Sequence, residues 1–388
     1  MNIQELFQAM VDHNASDLYL TVGRPAMYRI EGTINPIGSH ACRPEELENL
    51  AQSIMNERQR REFAETMEMN MAMMLPNVSR FRVNLYRQRG SVGLVIRLVK
   101  TEIESLADLG LPPILGEVAM MKRGLVLVVG ATGSGKSTTL AAVVDHRNSI
   151  ESGHIITIED PIEFVHRHKK SIVTQREIGF DTHSYESALT NALRQAPDVI
   201  LIGEIRDTET MEAAIAFAET GHLCLSTLHS NNSNQAIERI MNFFPPVRHV
   251  QIYLQLSLNL RAIISQRLIP SSDGRRVAAL EIMMGTPRIK DLIKKGEVDR
   301  IKEGMEQGVQ EGCQTFDDAL FTLCKERKIS FDQAMINADS ANNLRLRIKL
   351  AGLKIDDEPE EAQPIKTSAG QAKTASVRDP GALRLRRS

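Results

Sequence analysis

Residues Gly130, Ala131, Thr132, Gly133, Ser134, Gly135, Lys136 and Ser137 spell G-x-x-x-x-G-K-S directly behind an apolar run over 124–129. The chemistry of that spacing is phosphate binding. Glycines allow successive backbone N–H groups to converge on phosphate oxygens at the start of a helix, where the aligned peptide dipoles also favour negative charge. Lys136 then reaches the β- and γ-phosphates, and the Ser137 hydroxyl completes a Mg²⁺ shell. With Thr138 in the first helical turn, residues 130–138 are the expected cradle for a nucleoside triphosphate.

Three later segments carry groups that such a cradle needs. The strand-like run over 155–158 ends in Glu159, Asp160 and Glu163, with Pro161 stopping the ladder. Carboxylates beside a phosphate loop orient an attacking water or hold the metal's water shell; on this segment alone a solvated turn is an equal reading. The run 199–202 leads through Gly203 to Glu204, the pattern of a Walker B strand whose acid sits near Mg²⁺. The run 223–228 is bracketed by His222 and His229. Two histidines at this spacing lack the third ligand that a metal site requires, which leaves a polar strand cap or a γ-phosphate contact.

The elements that must position these groups follow from the apolar periodicity. Strands are expected at 125–129, 155–158, 172–174, 199–202 and 223–228, with helices near 136–144, 185–193, 211–218 and 235–243. Alternation of this kind builds a mostly parallel sheet wrapped by helices. Ahead of it, a helix at 3–11, a strand at 15–22, a helical stretch at 44–63 and strands at 68–74, 79–88 and 91–99 describe a separate mixed module. Alternating Met67, Met69, Met71 and Met73 suit the buried face of a strand better than a soft-metal site. Paired Pro112 and Pro113 close an aperiodic stretch and mark the junction. Beyond Pro270 helices are expected near 287–295, 316–327 and 331–338, and the acidic-then-basic stretch 354–388 is expected to be disordered.

Composition excludes more than it assigns. The 388 residues exceed one ordinary domain, and 47 Lys and Arg against 49 Asp and Glu leave a charge of −2. Such a balance gives no whole-chain grip on nucleic acid or an anionic membrane. The four cysteines form no C-x-x-C pair, so neither a disulfide framework nor a closed zinc site is expected, and a reducing cytosol is. No apolar run approaches the about 20 residues of a membrane span, and the N-terminus lacks the basic start and apolar centre of a signal peptide.

Taken in order, the phosphate loop, the ITIEDPIEF box (156–164), the strand ending Gly203-Glu204-Ile205-Arg206 and the TGHLCLSTLH box (220–229) resemble the secretion ATPase superfamily of type II secretion, type IV pili and type IV secretion. Further matches at 15–20, 80–84, 193–198 and 314–317 extend the resemblance from the N-terminus to about residue 353. The short N-terminal module and the missing four-cysteine zinc element are similar to the type IV pilus retraction ATPases. The segments 175–179, 218–224, 256–260 and 338–342 look closer to the PilU branch than to the PilT branch.

The resemblance implies an α/β protein. A PAS-like α+β domain (1–100) and a hinge (101–113) would precede a RecA-like P-loop NTPase core (114–270) with a helical C-terminal part (271–353). It implies a homohexamer at the cytoplasmic face of a bacterial inner membrane that hydrolyses ATP with Mg²⁺ and drives pilus retraction through an inner-membrane platform protein, alongside a companion retraction ATPase. No nucleic-acid partner and no zinc are expected. Carried over, Glu163 positions the attacking water and Glu204 lies near the metal through water, roles that sequence leaves exchangeable. His229 senses the γ-phosphate, His222 orders the same edge, Glu159 borders the nucleotide, and Arg82 and Arg97 supply positive charge, from a neighbouring subunit if the fingers act in trans. An accessory nucleotide-binding adaptor, a pilus-assembly ATPase and a nucleic-acid motor are the rival readings.

Overall fold

The computed structural model of the chain describes residues 2–75, 79–99 and 101–353. The N-terminal module runs α1 (Ile3–Asp12), β1 (Asp17–Leu20), β2 (Met27–Ile30), β3 (Thr33–Pro36), α2 (Pro44–Ile54), α3 (Glu57–Thr66), β4 (Glu68–Leu75), β5 (Ser79–Gln88) and β6 (Ser91–Val99). Its strands form an antiparallel sheet in the order β3-β2-β1-β6-β5-β4. The helical stretch expected over 44–63 is broken in two. The Asn56 side chain accepts the Gln59 N–H at 2.9 Å and the Gln59 side chain accepts the Asn56 N–H at 2.9 Å, a reciprocal cap that starts a new helix.

Alternation along β5 divides the sheet's faces. Phe81, Val83 and Leu85 enter a core with Phe7, Met10, Leu47 and Phe63, and Phe7 stacks on Phe81 with ring centroids 3.9 Å apart. Arg80, Arg82 and Asn84 therefore stand on the opposite face. The methionine row is core for Met69, Met71 and Met73, whereas Met67 is the exposed left-handed cap of α3.

The second module runs α4 (Ile114–Ala119), β7 (Gly124–Val129), α5 (Lys136–Ile150), β8 (His154–Glu159), β9 (Ile172–Glu177), α6 (Tyr185–Ala192), β10 (Val199–Ile202), α7 (Thr208–Glu219), β11 (Leu223–Leu228), α8 (Ser233–Asn242), α9 (His249–Asn259), β12 (Leu260–Pro270) and β13 (Arg276–Met284). Its sheet has the order β13-β12-β7-β11-β10-β8-β9, parallel throughout except for β13 against β12. Every residue of central β7 is buried. Leu125, Leu127 and Val129 serve one core and Val126 and Val128 the other, which is why this strand reads as an unbroken apolar run.

One expectation is corrected here. The stretch from 271 was read as helical, yet β13 lies within it and pairs with β12 from Arg276 to Met284. Polar residues inside both strands hide them from an apolar template, and those residues are matched: Gln266 binds Thr139, and Ser265 binds Glu281. Helices α10 (Pro287–Lys295), α11 (Ile301–Gln307), α12 (Phe316–Lys325), α13 (Phe331–Asn337) and α14 (Ala341–Leu350) follow. The last three pack on the β12–β13 hairpin through Ile269, Ala279, Phe316, Leu320 and Leu344. The segment 354–388 lies outside the described residues. No described helix is long and apolar enough to cross a membrane.

Candidate active site

Parallel strands deliver their C-terminal ends to one edge, and the loops leaving that edge form the site. The loop after β7, the acidic segment after β8, Gly203-Glu204 after β10 and His229 after β11 line a single cavity of about 560 Å³. It contains Thr132, Gly133, Gly135, Lys136, Ser137 and Thr138 together with Glu159, Glu163, Glu204 and His229. Gly130 closes the turn at its base, where a Cβ would stand 2.4 Å from Ser134 Oγ and 2.6 Å from the Gln266 carbonyl. Gly135 takes a left-handed conformation (φ +88°) at the N-terminus of α5, and no side chain among the described residues caps that helix. Its first N–H groups are thus left for an anion.

Two side chains of the loop have the chemistry to meet a phosphate. Ser134 Oγ is buried without a hydrogen-bond partner among the described residues. The Lys136 ammonium folds back onto the Gly130 and Ala131 carbonyls, each at 3.0 Å. Burial lowers the Lys136 pKa, while the Glu204 and Glu163 carboxylates oppose that shift. Behind the loop, Thr139 Oγ1 donates to Gln266 Oε1 at 2.7 Å and braces α5 on β12.

Charge is arranged around this cradle. Glu204 accepts Arg206 Nε at 2.8 Å and faces His229 Nε2 at 3.2 Å; Arg206 also lies 3.6 Å from Asp160. Gly203 lets the strand end pass close by, because a Cβ there would meet the Glu159 Cα and the Tyr185 hydroxyl, both at 3.2 Å. Glu163 is exposed on the cavity wall. Glu159 keeps some solvent contact as a residue, but enclosure of its carboxyl pushes its pKa up to about 7 against hydrogen bonds from Thr157 and Gln175. Burial likewise drives His166 down to about 4, so that this imidazole at the cavity wall is neutral. The hydroxyl and carboxylates of Ser137, Glu204 and Glu163 are hard oxygen donors, the set that suits Mg²⁺.

The N-terminal module of the same chain approaches without lining the cavity: Arg82 and Arg97 border a separate pocket with Asn70, Asn84 and Phe180. Arg82 is half-buried, and the charges acting on it include Glu177, Glu163 and Asp160. Arg97 stands opposite Arg82 in the β5–β6 ladder, but its Nε is committed to Asp17 at 2.8 Å. His222 does not join the site. It precedes β11, its carbonyl accepts the N–H of Gly124 at the start of β7, and its Nδ1 meets Thr220 Oγ1 at 3.0 Å. The six-residue strand between the two histidines holds them at opposite sheet edges, about 23 Å apart at roughly 3.3 Å per residue. Asp160 and Arg206, already part of the acidic and Walker B segments, line the cavity, and so do Tyr185 and Arg276, to which no motif points. Their roles come from tertiary placement rather than local pattern.

The chain matches the family described as "Type II/IV secretion system protein" over residues 2–319. It is 51% identical over 351 residues to the type IV pilus ATPase PilU of Pseudomonas aeruginosa, covering 90% of this chain and 92% of that protein. It is 41% identical to the type IV pilus retractation ATPase PilT of the same organism, covering 88% of this chain and 100% of that protein. Among solved structures, the pilus retraction motor PilT with bound ADP superposes with a TM-score of 0.83 at 40% identity, over 89% of this chain and 99% of that one.

Proposed function

The chain belongs to the type II/IV secretion system protein family, and from that premise we propose that it is an ATP-hydrolysing motor of the type IV pilus machinery that powers retraction. The observation that carries this reading is the convergence of Lys136, Ser137, Glu163, Glu204 and His229 on one cavity, with Arg82 of the N-terminal module within electrostatic range of Glu163 and Asp160. The similarity to PilU and PilT supports the cellular role.

In the proposed reaction a water attacks the γ-phosphorus of ATP, the bond to the ADP oxygen breaks and phosphate leaves. The N–H groups of residues 130–138 and the Lys136 ammonium hold the β- and γ-phosphates. Ser137 and Glu204 would hold Mg²⁺, and the ion would supply positive charge against the phosphates. Glu163 orients the attacking water, and Glu159 borders the nucleotide. His229, joined to Glu204, registers the γ-phosphate. Arg82 places positive charge opposite the leaving group, with Arg97 behind it; such an arginine contributes ~10³–10⁵ in rate in other NTPases.

The working unit in this reading is a homohexamer, peripheral at the cytoplasmic face of the inner membrane. It acts on the pilus platform protein beside a companion retraction ATPase. Residues 1–100 are the moving PAS-like module, 101–113 the hinge, and the RecA-like core begins at 114. Lys136→Ala is the direct test. ATP turnover falls to background in a steady-state phosphate-release assay while the melting temperature and circular dichroism stay at their wild-type values. Wild-type turnover in this variant would remove the reading.

A further inference from the structure

Strand β9 pins the acidic segment that follows β8. Gln175 donates through Nε2 to the Phe164 carbonyl at 2.9 Å and accepts the His166 N–H at 2.7 Å. Two residues on, Glu177 stands opposite Glu159 in the β8–β9 ladder, and its Oε2 accepts the Ile162 N–H at 3.2 Å. Ile162 is the residue immediately before Glu163.

The same Glu177 oxygen receives Arg80 Nη2 at 3.1 Å. Arg80 sits on β5 of the N-terminal module, two residues from Arg82, so one atom ties that module to the backbone that carries Glu163. Both partners are withdrawn from water, with 2% of the Glu177 side chain and 16% of the Arg80 side chain exposed. The junction is incompletely satisfied, because Arg80 Nε is buried with no partner among the described residues. A buried ion pair with an orphaned donor is held by the placement of its two bodies rather than by its own completeness. Displacement of the module breaks it, and the carboxylate then has to find a new partner.

We propose that Glu177 is a positioning residue for catalysis: through the Ile162 N–H it fixes Glu163, and through Arg80 it makes that fixing depend on where the N-terminal module sits. The hydrolytic step is therefore gated by module position, whereas nucleotide affinity is not. Neither Arg80 nor Glu177 lines the nucleotide cavity. The proposal rests on Glu163 as the residue that orients the water, so Glu163→Gln is measured alongside.

The experiment is steady-state ATP turnover of the full chain, with kcat and KM separated, together with ADP binding by calorimetry. Glu163→Gln lowers kcat about 100-fold with unchanged ADP affinity, in the range for a lost general base. Arg80→Gln and Glu177→Ala each lower kcat about tenfold and leave ADP affinity within about twofold, and Arg80→Lys recovers most of the loss. Glu177→Gln, which retains an oxygen for the Ile162 N–H, lies between Glu177→Ala and wild type. The double variant Arg80→Gln/Glu177→Ala is no slower than Glu177→Ala alone, because the two side chains act in one path. If Glu163→Gln is impaired but Arg80→Gln and Glu177→Ala turn over at the wild-type rate, the proposal is overturned and the reading of Glu163 stands. Additive losses in the double variant, or ADP affinity falling in step with kcat, overturn it as well. Wild-type turnover in Glu163→Gln removes the underlying reading and the proposal with it.

Discussion

Glu159 carries a proton through a pH range in which an ordinary glutamate has lost it. Burial raises its pKa from 4.5 to about 7 although Thr157 Oγ1 donates to its carboxylate at 2.6 Å. An unfolded glutamate ionises near 4.5, so between that pH and 7 the folded chain holds a proton that the unfolded chain has released. Stability therefore falls as pH rises through this window and stays low above it. The full shift would be worth ~3 kcal/mol; the residue's partial contact with solvent discounts it to about 2 kcal/mol. Glu159→Gln removes the titration and retains an acceptor oxygen for Thr157 and Gln175. Without nucleotide, the variant should gain about 2 kcal/mol over wild type at pH 8, and the gain should vanish toward pH 4.5. Unfolding curves at stepped pH read this directly, and a difference that does not vary with pH would assign the raised proton affinity elsewhere.

Among the elements, β13 bears the residue that decides where α8 begins. Glu281 Oε1 accepts the Ser233 N–H at 2.8 Å, Ser233 Oγ at 2.7 Å and Ser265 Oγ at 2.9 Å. Ser233 is the first residue of the helix that follows His229, so this carboxylate anchors the turn that presents the histidine. Glu281→Ala leaves the Ser233 N–H and one of two hydroxyls, which lie 3.4 Å apart, unpaired at ~1–3 kcal/mol each, and the expected loss in denaturant unfolding is roughly 2 kcal/mol or more. Glu281→Gln loses less, and equal stability of the Ala variant and wild type would deny Glu281 this role. Such an anchor was not legible in the sequence, and the reason is general to this molecule. The groups that were legible are contiguous with a strand: the loop after β7, Glu159 and Glu163 after β8, Glu204 after β10 and His229 after β11. Glu177, Gln266 and Glu281 act only once register or packing brings distant strands together; Gln266 lies 127 residues from Thr139. The two four-residue strands β2 and β3 gave no alternation to read, β3 being exposed along its whole length. His222 was misplaced for a related reason, since a strand bracketed by two histidines looks symmetric in sequence while its ends lie on opposite edges of the sheet.

For the whole molecule, the arrangement of the two modules decides who supplies the arginine. Helices cover one face of the N-terminal sheet, and the face bearing Arg80 and Arg82 is turned to the core of its own chain, where Arg80 meets Glu177 at 3.1 Å and Arg82 feels Glu177, Glu163 and Asp160. In the proposed reading one chain thus supplies phosphate loop, carboxylates and the Arg82 charge to its own site. On the same reading the hexamer turns hydrolysis into movement between subunits, a coupling that requires two states biased by nucleotide, rather than completing the chemistry. Mixing variants separates these possibilities. Arg82→Ala leaves the phosphate loop whole, and Lys136→Ala leaves the arginine whole. If the arginine were supplied in trans, an equal mixture would place an intact arginine beside half of the intact loops and restore about a quarter of wild-type turnover in randomly mixed rings. Supply in cis predicts no restoration. Turnover of the mixture should remain at the level contributed by Arg82→Ala alone, about 10²-fold or more below wild type, at every mixing ratio. The measurement requires exchange of subunits between the two variants, which fluorescence transfer between labelled chains reports in the same samples. Recovery of activity that peaks at equal proportions of the two variants would place the catalytic arginine across the subunit boundary and make assembly a condition of hydrolysis.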